Sequence, residues 1–434
     1  MPLRAAPEMA FAAVATLAVA PPFDDLEAAA AAWDGLRAAI ASGDADAQAS
    51  ATADDAPRVY VGALAGLAAA GGAAPPPAHL AAFAEQLAAA LANACVLAAR
   101  SKNTAFVDAL ADAGATPKLL AVMGLALPQR CYLGCAKCLH VLCASSPKAR
   151  LDAVGDVAKQ TLATTLGWCV LASDAAGKPD GKLKYRDRVL AGEVLKVCYA
   201  VAAGRRHDLK DAGAGYLLSP GEAPDDPAIT LIGVCLRAVL CGARAPYDVP
   251  PACLDAVNLL TCAPKTYYCW LVENGAVPRL CNLLEGILND YVVENKYESP
   301  ETTLPPLLDA FLKLCAASAK GKKQLKAWIF PPEADAVWMP KLAEAKAKAK
   351  GDEALQKEFD AARIHPVDAP RYATRSLLLK LMCDLEPVTK RLVAELVWAL
   401  CDEDADEFTV RCGVGNAIAF LQIKKLMPMP KPSF

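Results

Sequence analysis

Aromatic residues, histidines and surplus positive charge are all scarce in this chain of 434 residues. Aromatic residues make up 6% of the sequence, and valine and isoleucine alternate with polar residues over no long stretch, which argues against β-sheet. Lys and Arg total 45 against 48 for Asp and Glu, so the net charge of −3 gives no support for nucleic-acid binding, which needs a basic face. The four histidines include no HxxH or HExxH pair, so a zinc enzyme is not indicated.

The sequence also lacks the motifs of nucleotide-binding and hydrolytic enzymes. It has no Walker A loop, no GxGxxG after a strand and no GxSxG turn. The stretch GVGNAIAFL at 413–421 resembles a phosphate-binding loop only superficially, because no strand precedes it and no Lys-Ser/Thr pair follows it. We therefore expect no cofactor, no metal and no bond-making chemistry.

Cysteine, in contrast, is abundant, with 17 residues. Most lie inside apolar helical runs, where a free thiol behaves as a small hydrophobic side chain. The odd number and the lack of a secreted disulfide pattern predict a reducing compartment and a cytoplasmic protein. The apolar run at 10–20 predicts a packed first helix rather than a signal peptide, and we expect no run as apolar as the ~18–20 residues of a membrane span.

Two stretches of the chain align with each other without a gap, LADAGATPKLLAVM at 110–123 and LVENGAVPRLCNLL at 271–284. Their shared Gly-Ala-x-Pro-basic-Leu motif places Gly114 and Gly275 161 residues apart, which four units of ~40 residues would fill. Armadillo and HEAT repeats have periods of ~40–47 residues. With the heavy use of alanine, this spacing predicts an all-α, armadillo/HEAT-like right-handed helical-repeat solenoid with essentially no β-structure.

Shifts in composition divide the chain into five segments. Residues 1–77 are alanine-rich and predict cap helices, 78–332 carry the repeats, 333–370 form a charged insertion without a wide apolar stripe, 371–427 form a final repeat unit, and 428–434 form a tail.

The motif CYLGCAKC places Cys131, Cys135 and Cys138 in the C-x3-C-x2-C spacing of radical S-adenosylmethionine enzymes. His140 beside them could supply a fourth metal ligand. The same spacing is i, i+4, i+7, which is one face of a helix. Because no alternation of strands and helices surrounds the motif, it indicates core packing, and an iron–sulfur protein is the less favoured alternative.

Solenoids commonly bind an extended peptide or a helix in a concave groove. Lys196 and Tyr199 lie three residues apart, off the apolar stripe of their helix, and Lys137 and His140 repeat this arrangement. Asn258 is the polar residue of an otherwise apolar helix. These five residues are the candidate partner-binding residues, with ordinary solvated side chains as the alternative.

The final repeat contains a predicted tight turn. Gly413 and Gly415 would permit it, and Asn416 is a residue type that favours the N-cap of a last helix.

The final unit, TKRLVAELVWALCDEDADEFTVRCGVGNAIAFLQIKKLM at 389–427, strongly resembles the corresponding segment of the synembryn family. Weaker matches follow the family's order upstream: EVLKVCYAVA at 193–202, AVNLL at 256–260 and LKAWIFPP at 325–332. Members of this family are armadillo/HEAT solenoids that chaperone G-protein α subunits and act as non-receptor guanine-nucleotide exchange factors. The resemblance implies a groove that takes the C-terminal helix of an α subunit, so that GDP leaves.

The resemblance also implies roles for individual residues. Tyr199 and Lys196 match an aromatic residue and a lysine of the family's groove helix, and Lys137 and His140 match a basic and an aromatic position one repeat earlier. Ala200 departs from the family, which has an asparagine there. The chain ends soon after the last repeat, whereas the family continues with an acidic, phosphorylated segment and a helix that grips the GTPase domain. We therefore expect binding in the groove to be retained better than exchange activity.

The sequence therefore predicts a monomeric cytoplasmic protein that binds a G-protein α subunit, chaperones it and promotes nucleotide exchange. One alternative is a generic armadillo-repeat adaptor that binds another peptide or helix. The other is the iron–sulfur protein built on Cys131, Cys135 and Cys138.

Overall fold

The computed structural model describes residues 26–70, 77–173, 179–183, 186–208, 217–219, 228–242, 251–293, 304–332, 373–383 and 386–426. These residues are almost wholly α-helical, which confirms the predicted all-α, helical-repeat fold class. The chain divides into two compact units, Met1–Ala238 and Val239–Phe434. The predicted charged insertion and tail lie outside the described residues.

The first unit is organised around four long helices that pack side by side in the order α1, α4, α7, α10. Shorter helices lie between the long ones, two between α4 and α7 and two between α7 and α10, so that each repeat is a helix triplet. The helices are α1 (Leu26–Ser42), α2 (Ala45–Ala51), α3 (Ala56–Ala70), α4 (Ala78–Arg100), α5 (Thr104–Asp112), α6 (Ala115–Met123), α7 (Gln129–Ser145), α8 (Pro147–Asp152), α9 (Asp156–Val170) and α10 (Arg188–Asp208).

The Gly-Ala-x-Pro motif turns the chain between consecutive helices in both of its copies. Gly114 has φ +82° and Gly275 has φ +69°, a left-handed conformation that side chains with a Cβ adopt only at a cost. Helix α6 begins directly after Gly114, with its proline in the first turn, where a missing N–H does no harm.

The segment SSPKAR at 145–150 contains the start of a short helix, α8. The Ser146 hydroxyl accepts a hydrogen bond from the Ala149 N–H at 3.5 Å, and the proline that follows Ser146 occupies the first turn of α8. A serine followed by proline is a helix start as well as a helix stop, and here the chain begins a new helix within one residue.

Two short antiparallel strand pairs interrupt the helices, although the sequence predicts essentially no β-structure. β1 (Leu171–Ser173) pairs with β2 (Pro179–Leu183), and β3 (Leu218–Ser219) pairs with β4 (Ala228–Ile229). The first pair lies between α9 and α10 and the second follows α10, and so few residues pair that no alternating pattern can be detected in the sequence.

The boundary between the two units falls within helix α11 (Leu231–Gly242), so the second unit begins with the last residues of that helix. In this unit α15 packs against α12, α13 and α18, and α16 packs against α14 and α18. Its helices are α12 (Pro251–Leu260), α13 (Lys265–Glu273), α14 (Val277–Leu288) continued by the π-turn Asn289–Val293, α15 (Leu304–Ala317), α16 (Ala319–Ile329), α17 (Thr374–Leu381), α18 (Pro387–Leu400), α19 (Ala405–Cys412) and α20 (Val414–Ile423).

An ion-pair network joins α16 to the acidic turn before α19. The Asp402 carboxylate lies 2.6 Å from Lys322 Nζ and 3.0 Å from Lys326 Nζ. Glu407 pairs with Lys326 at 3.2 Å and with Arg411 at 3.0 Å. The network pairs the negative charge of this turn with the lysines of α16, which lie about 76–80 residues earlier in the sequence.

Helix α4 is the one described helix long and apolar enough to cross a membrane, by length and composition only. The sequence analysis expected no run as apolar as a membrane span. The mean hydropathy of α4 is nevertheless high, because its many alanines outweigh Glu85, Gln86 and Asn93. In the structure, 56% of its most apolar window is buried, and the helix packs between α1 and α7.

Candidate partner-binding surface

Four of the five candidate residues lie on two neighbouring helices. Lys137 and His140 belong to α7, Lys196 and Tyr199 belong to α10, and all four side chains are half-buried. Helices α7 and α10 pack directly against each other. We call these four residues the polar strip, because the two members on each helix are spaced three residues apart, which keeps the pair on one face.

Glu193 links the two halves of the polar strip. Its carboxylate lies 2.9 Å from Lys196 Nζ on the same helix and 3.8 Å from His140 Nδ1 on α7. Burial lowers the pKa of His140, while Glu193 raises it and Lys196 lowers it further. The net lowering leaves His140 neutral at pH 7. The sequence analysis missed Glu193, although its position three residues before Lys196 is the spacing of a helical ion pair.

Tyr199 is the large aromatic side chain of the polar strip. It lies one turn beyond Lys196 and is half-buried, so part of the side chain is packed and part is accessible to solvent. Ala200 is also half-buried and offers no hydrogen-bonding side chain.

Asn258 lies on α12 in the second unit and is half-buried. Its backbone carbonyl accepts a hydrogen bond from the Thr261 hydroxyl at 2.8 Å, which helps to close the C-terminal turn of α12. The prediction that its side chain contacts a partner stays a prediction.

A cavity of about 610 Å³ opens between α1, α4 and α7, beside the polar strip. Lys137 belongs to the polar strip and also lines the cavity. Arg37, Arg100 and Arg130 line the cavity as well, and its apolar wall includes Val96. The sequence analysis missed this cavity, because three different helices contribute its charges at no regular spacing.

The cysteine cluster is packed into the core, as predicted. Cys131, Cys135 and Cys138 are fully buried on α7, and Cys95 of α4 lies against Cys138. Contact with Cys131 and burial raise the pKa of Cys135, and burial followed by contact with Cys95 raises the pKa of Cys138. These two thiols are therefore neutral at pH 7 and behave as small buried apolar side chains. No group of three or more potential metal ligands occurs among the described residues.

The predicted turn at the start of the last helix is only partly correct. Gly413 has φ +84° and ψ 149° and stands at the N-cap of α20, as a turn glycine should. Gly415 has no positive φ and is part of the helix, and Asn416 is not the N-cap. The Asn416 amide instead donates to the Cys412 carbonyl at 3.0 Å and accepts from the Cys383 thiol at 3.0 Å. Asn416 therefore fastens the start of α20 to the preceding helices.

Stacked helix triplets with buried faces are the architecture of an armadillo/HEAT-type helical-repeat protein. The family model described as guanine nucleotide exchange factor synembryn matches residues 48–341 and 370–433. The match covers most of the chain, and the chain belongs to this family. Family membership brings with it the coarse function of guanine-nucleotide exchange.

Several solved structures are similar to this chain. A designed armadillo repeat protein, YIII(Dq)4CqI, is 16% identical with a TM-score of 0.41, over 71% of this chain and 99% of that chain. Computationally designed armadillo repeat proteins for modular peptide recognition give 16% identity and a TM-score of 0.42, over 71% of this chain and 98% of that chain. An engineered protein gives 16% identity and a TM-score of 0.43, over 98% of this chain and 95% of that chain. No curated protein sequence matches the chain.

Proposed function

We propose that the polar strip on α7 and α10 binds the C-terminal helix of a heterotrimeric G-protein α subunit, and that the protein chaperones this subunit and promotes its nucleotide exchange. The observation that carries the proposal is the direct packing of α7 on α10, which brings two Lys-x-x-aromatic pairs from distant parts of the sequence onto neighbouring helices. Membership in the synembryn family supports the partner class. Asn258 of α12 is a further proposed contact residue.

The proposed mechanism is a difference in binding free energy. A protein that binds the nucleotide-free α subunit more tightly than the GDP-bound one shifts the subunit towards loss of GDP, and binding of GTP reverses the shift. No bond is made or broken by the chain itself, so the residues that matter are those that hold the helix.

Tyr199 is expected to contribute most of the affinity. A partly buried aromatic side chain in a groove is the usual anchor of an interface and costs ~2 kcal/mol or more on truncation, which is about 30-fold in affinity. The neighbouring Lys196 is already paired with Glu193 at 2.9 Å, so its loss should cost less and depend on salt.

Isothermal titration with a peptide that carries the C-terminal helix of an α subunit tests the polar strip. Tyr199→Ala should weaken binding by at least about 30-fold, whereas Trp168→Ala, an exposed aromatic residue on α9, should leave binding unchanged. No binding of the peptide to the folded protein at about 100 μM would refute the strip and favour a generic armadillo adaptor.

The exchange and chaperone activities need their own measurements. Release of a fluorescent GDP analogue from an α subunit should accelerate in the presence of the protein and should do so less with Tyr199→Ala. Co-expression should raise the yield of folded α subunit. Acceleration that is equal for Tyr199→Ala and the unaltered protein would place exchange on a different surface. A cytoplasmic, monomeric protein is part of the proposal and can be tested by imaging of a fluorescent fusion and by sedimentation.

A further inference from the structure

The cavity between α1, α4 and α7 concentrates positive charge in a chain that is negative overall. The net charge of the chain is −3, yet three arginines and one lysine line this single cavity. The other polar side chains of the lining are the amides of Gln48 and Asn93, and no carboxylate of a described residue lines it. Arg37 is already paired with Asp34 at 2.6 Å, and the three remaining like charges repel each other, so an anion bound among them relieves that repulsion.

Three of these four cations are available for a ligand. Arg100 and Arg130 are exposed and Lys137 is half-buried, and none of them makes an ion pair with a described residue. Elsewhere on the described surface, lysines and arginines commonly pair with a nearby carboxylate, as Lys148 does with Asp152. The three side chains therefore present their N–H donors at the cavity.

The fourth cation is held in place by its own partners. The Arg37 side chain hydrogen-bonds Asp34 at 2.6 Å and Gln86 at 3.1 Å, which fixes the guanidinium at the edge of α1. Its backbone carbonyl accepts from the Asn93 amide at 3.4 Å, so α1 and α4 are tied together at the cavity wall. The wall is thus ordered before any ligand arrives, which lowers the entropic cost of binding.

The size and chemistry of the cavity fit phosphate groups. A volume of about 610 Å³ falls in the range of small-molecule sites, ~300–1,000 Å³. A phosphate group carries nearly two negative charges and three acceptor oxygens, and arginine can pair with it through two parallel hydrogen bonds. A single carboxylate would neutralise one of the three remaining cations, whereas a ligand with several phosphates neutralises all three.

We propose that this cavity binds a multiply phosphorylated ligand, with phosphate groups paired to Arg100, Arg130 and Lys137. Such a ligand is a soluble organic polyphosphate or the headgroup of a phosphoinositide, and the two share the chemistry that the cavity recognises. The proposal concerns a different ligand from that of the polar strip and does not require the G-protein partner.

Titration of the full chain with inositol hexakisphosphate tests the proposal. We expect saturable one-to-one binding that weakens as salt is added. The double variant Arg100→Gln/Arg130→Gln should lose at least about 30-fold in affinity, because each lost hydrogen bond to a charged group costs roughly tenfold or more. Circular dichroism should show the variant folded, since both side chains are exposed.

The matched control is Arg58→Gln. Arg58 is an exposed arginine of α3 that does not line the cavity, so this variant removes a positive charge without touching the proposed site. It should bind the hexakisphosphate within a factor of about two of the unaltered protein, because an exposed charge away from the ligand acts only through screened solvent.

A second experiment distinguishes a lipid headgroup from a soluble polyphosphate as the source of the phosphates. Sedimentation with vesicles containing phosphatidylinositol bisphosphate, but not with phosphatidylserine vesicles of equal charge, would identify a lipid headgroup as the ligand. Binding of the free hexakisphosphate alone would identify a soluble one. Both results support the proposal when they depend on Arg100 and Arg130.

Three results would overturn the proposal. The first is no binding of either phosphate source at about 1 mM ligand. The second is a loss of affinity in Arg58→Gln equal to that in Arg100→Gln/Arg130→Gln, which would show that binding depends only on the overall charge of the protein. The third is an acidic peptide that binds through Arg100 and Arg130 when the phosphates do not, which would assign the cavity to a protein partner. Because the peptide titration of Tyr199→Ala is a separate experiment, failure here leaves the polar strip untouched.

Discussion

Replacing Gly413 and Gly415 separately with alanine should have opposite effects, although the two glycines stand two residues apart. Gly413 has φ +84° and ψ 149°, a region of backbone conformation that is essentially restricted to glycine and costs ~1–3 kcal/mol for other residues. Gly415 is inside α20, and a Cβ built there meets no atom within 4 Å.

The expected magnitudes follow from these two backbones. Gly413→Ala should destabilise the second unit by ~1–3 kcal/mol, because the new Cβ clashes with its own backbone. Gly415→Ala should be neutral or should stabilise the unit by up to ~1 kcal/mol, because alanine favours the helix over glycine. For a unit of this size, each kcal/mol moves the melting temperature by ~2–4 °C.

Thermal unfolding followed by circular dichroism measures both changes, and hydrogen exchange locates them. Faster exchange in Gly413→Ala should be confined to α19 and α20, where the turn lies. Equal melting temperatures for the two variants would refute the reasoning, because they would show that the backbone at Gly413 relaxes without cost.

Three further predictions concern packing, charge and thiols. Gly134→Ala should cost ~1–3 kcal/mol in thermal unfolding, because its Cβ would lie 2.8 Å from the backbone of α4. Gly35→Ala, inside α1, meets nothing within 4 Å and should be neutral or stabilising by up to ~1 kcal/mol. Hydrogen bonds from two lysines of α16 lower the pKa of Asp402, and for so exposed a pair the stabilisation of the folded state is below ~1 kcal/mol. This stabilisation is present above the pKa of the unfolded state and is lost as the pH falls through the pKa of the folded state. In Asp402→Asn the melting temperature should therefore fall less steeply with decreasing pH at the acidic end. A thiol reagent should modify the exposed Cys383 far faster than Cys281, whose pKa burial raises to about 12, and fast reaction of all 17 thiols would contradict the buried core.

The helical repeats could be predicted from the sequence because local chemistry determines them. Gly114 and Gly275 mark the same turn in two copies, and the cysteines at i, i+4, i+7 mark one buried face of α7. In each case the residues that determine the feature are neighbours in sequence, so a pattern of a few residues is enough to identify it.

Contacts between helices could not be predicted in the same way. Glu193 meets His140 across two helices, and the cavity collects Arg37, Arg100 and Arg130 from three. These contacts depend on how far one helix is shifted along the next, which no repeating pattern of this sequence records. Asn416 was assigned to the wrong role for a related reason, because Gly413 and Asn416 are both good N-cap types and only the backbone conformation decides between them.

Helix α7 connects the two proposed sites, because Lys137 belongs to both and the close contact at Gly134 sets the position of the helix. Residues three or four apart share a helix face, so Arg130, Gly134 and Lys137 follow one another along the side of α7 that lines the cavity, and His140 lies one turn further on, where it meets α10. The lack of a side chain at Gly134 lets α7 approach the backbone of α4. An added methyl group would therefore displace Arg130, Lys137 and His140 together, and a folded Gly134→Ala protein should lose affinity for both the phosphates and the peptide. Tyr199→Ala and the Arg100→Gln/Arg130→Gln variant should each affect one ligand alone. Unchanged affinity of Gly134→Ala for both ligands would show that the position of α7 is set elsewhere.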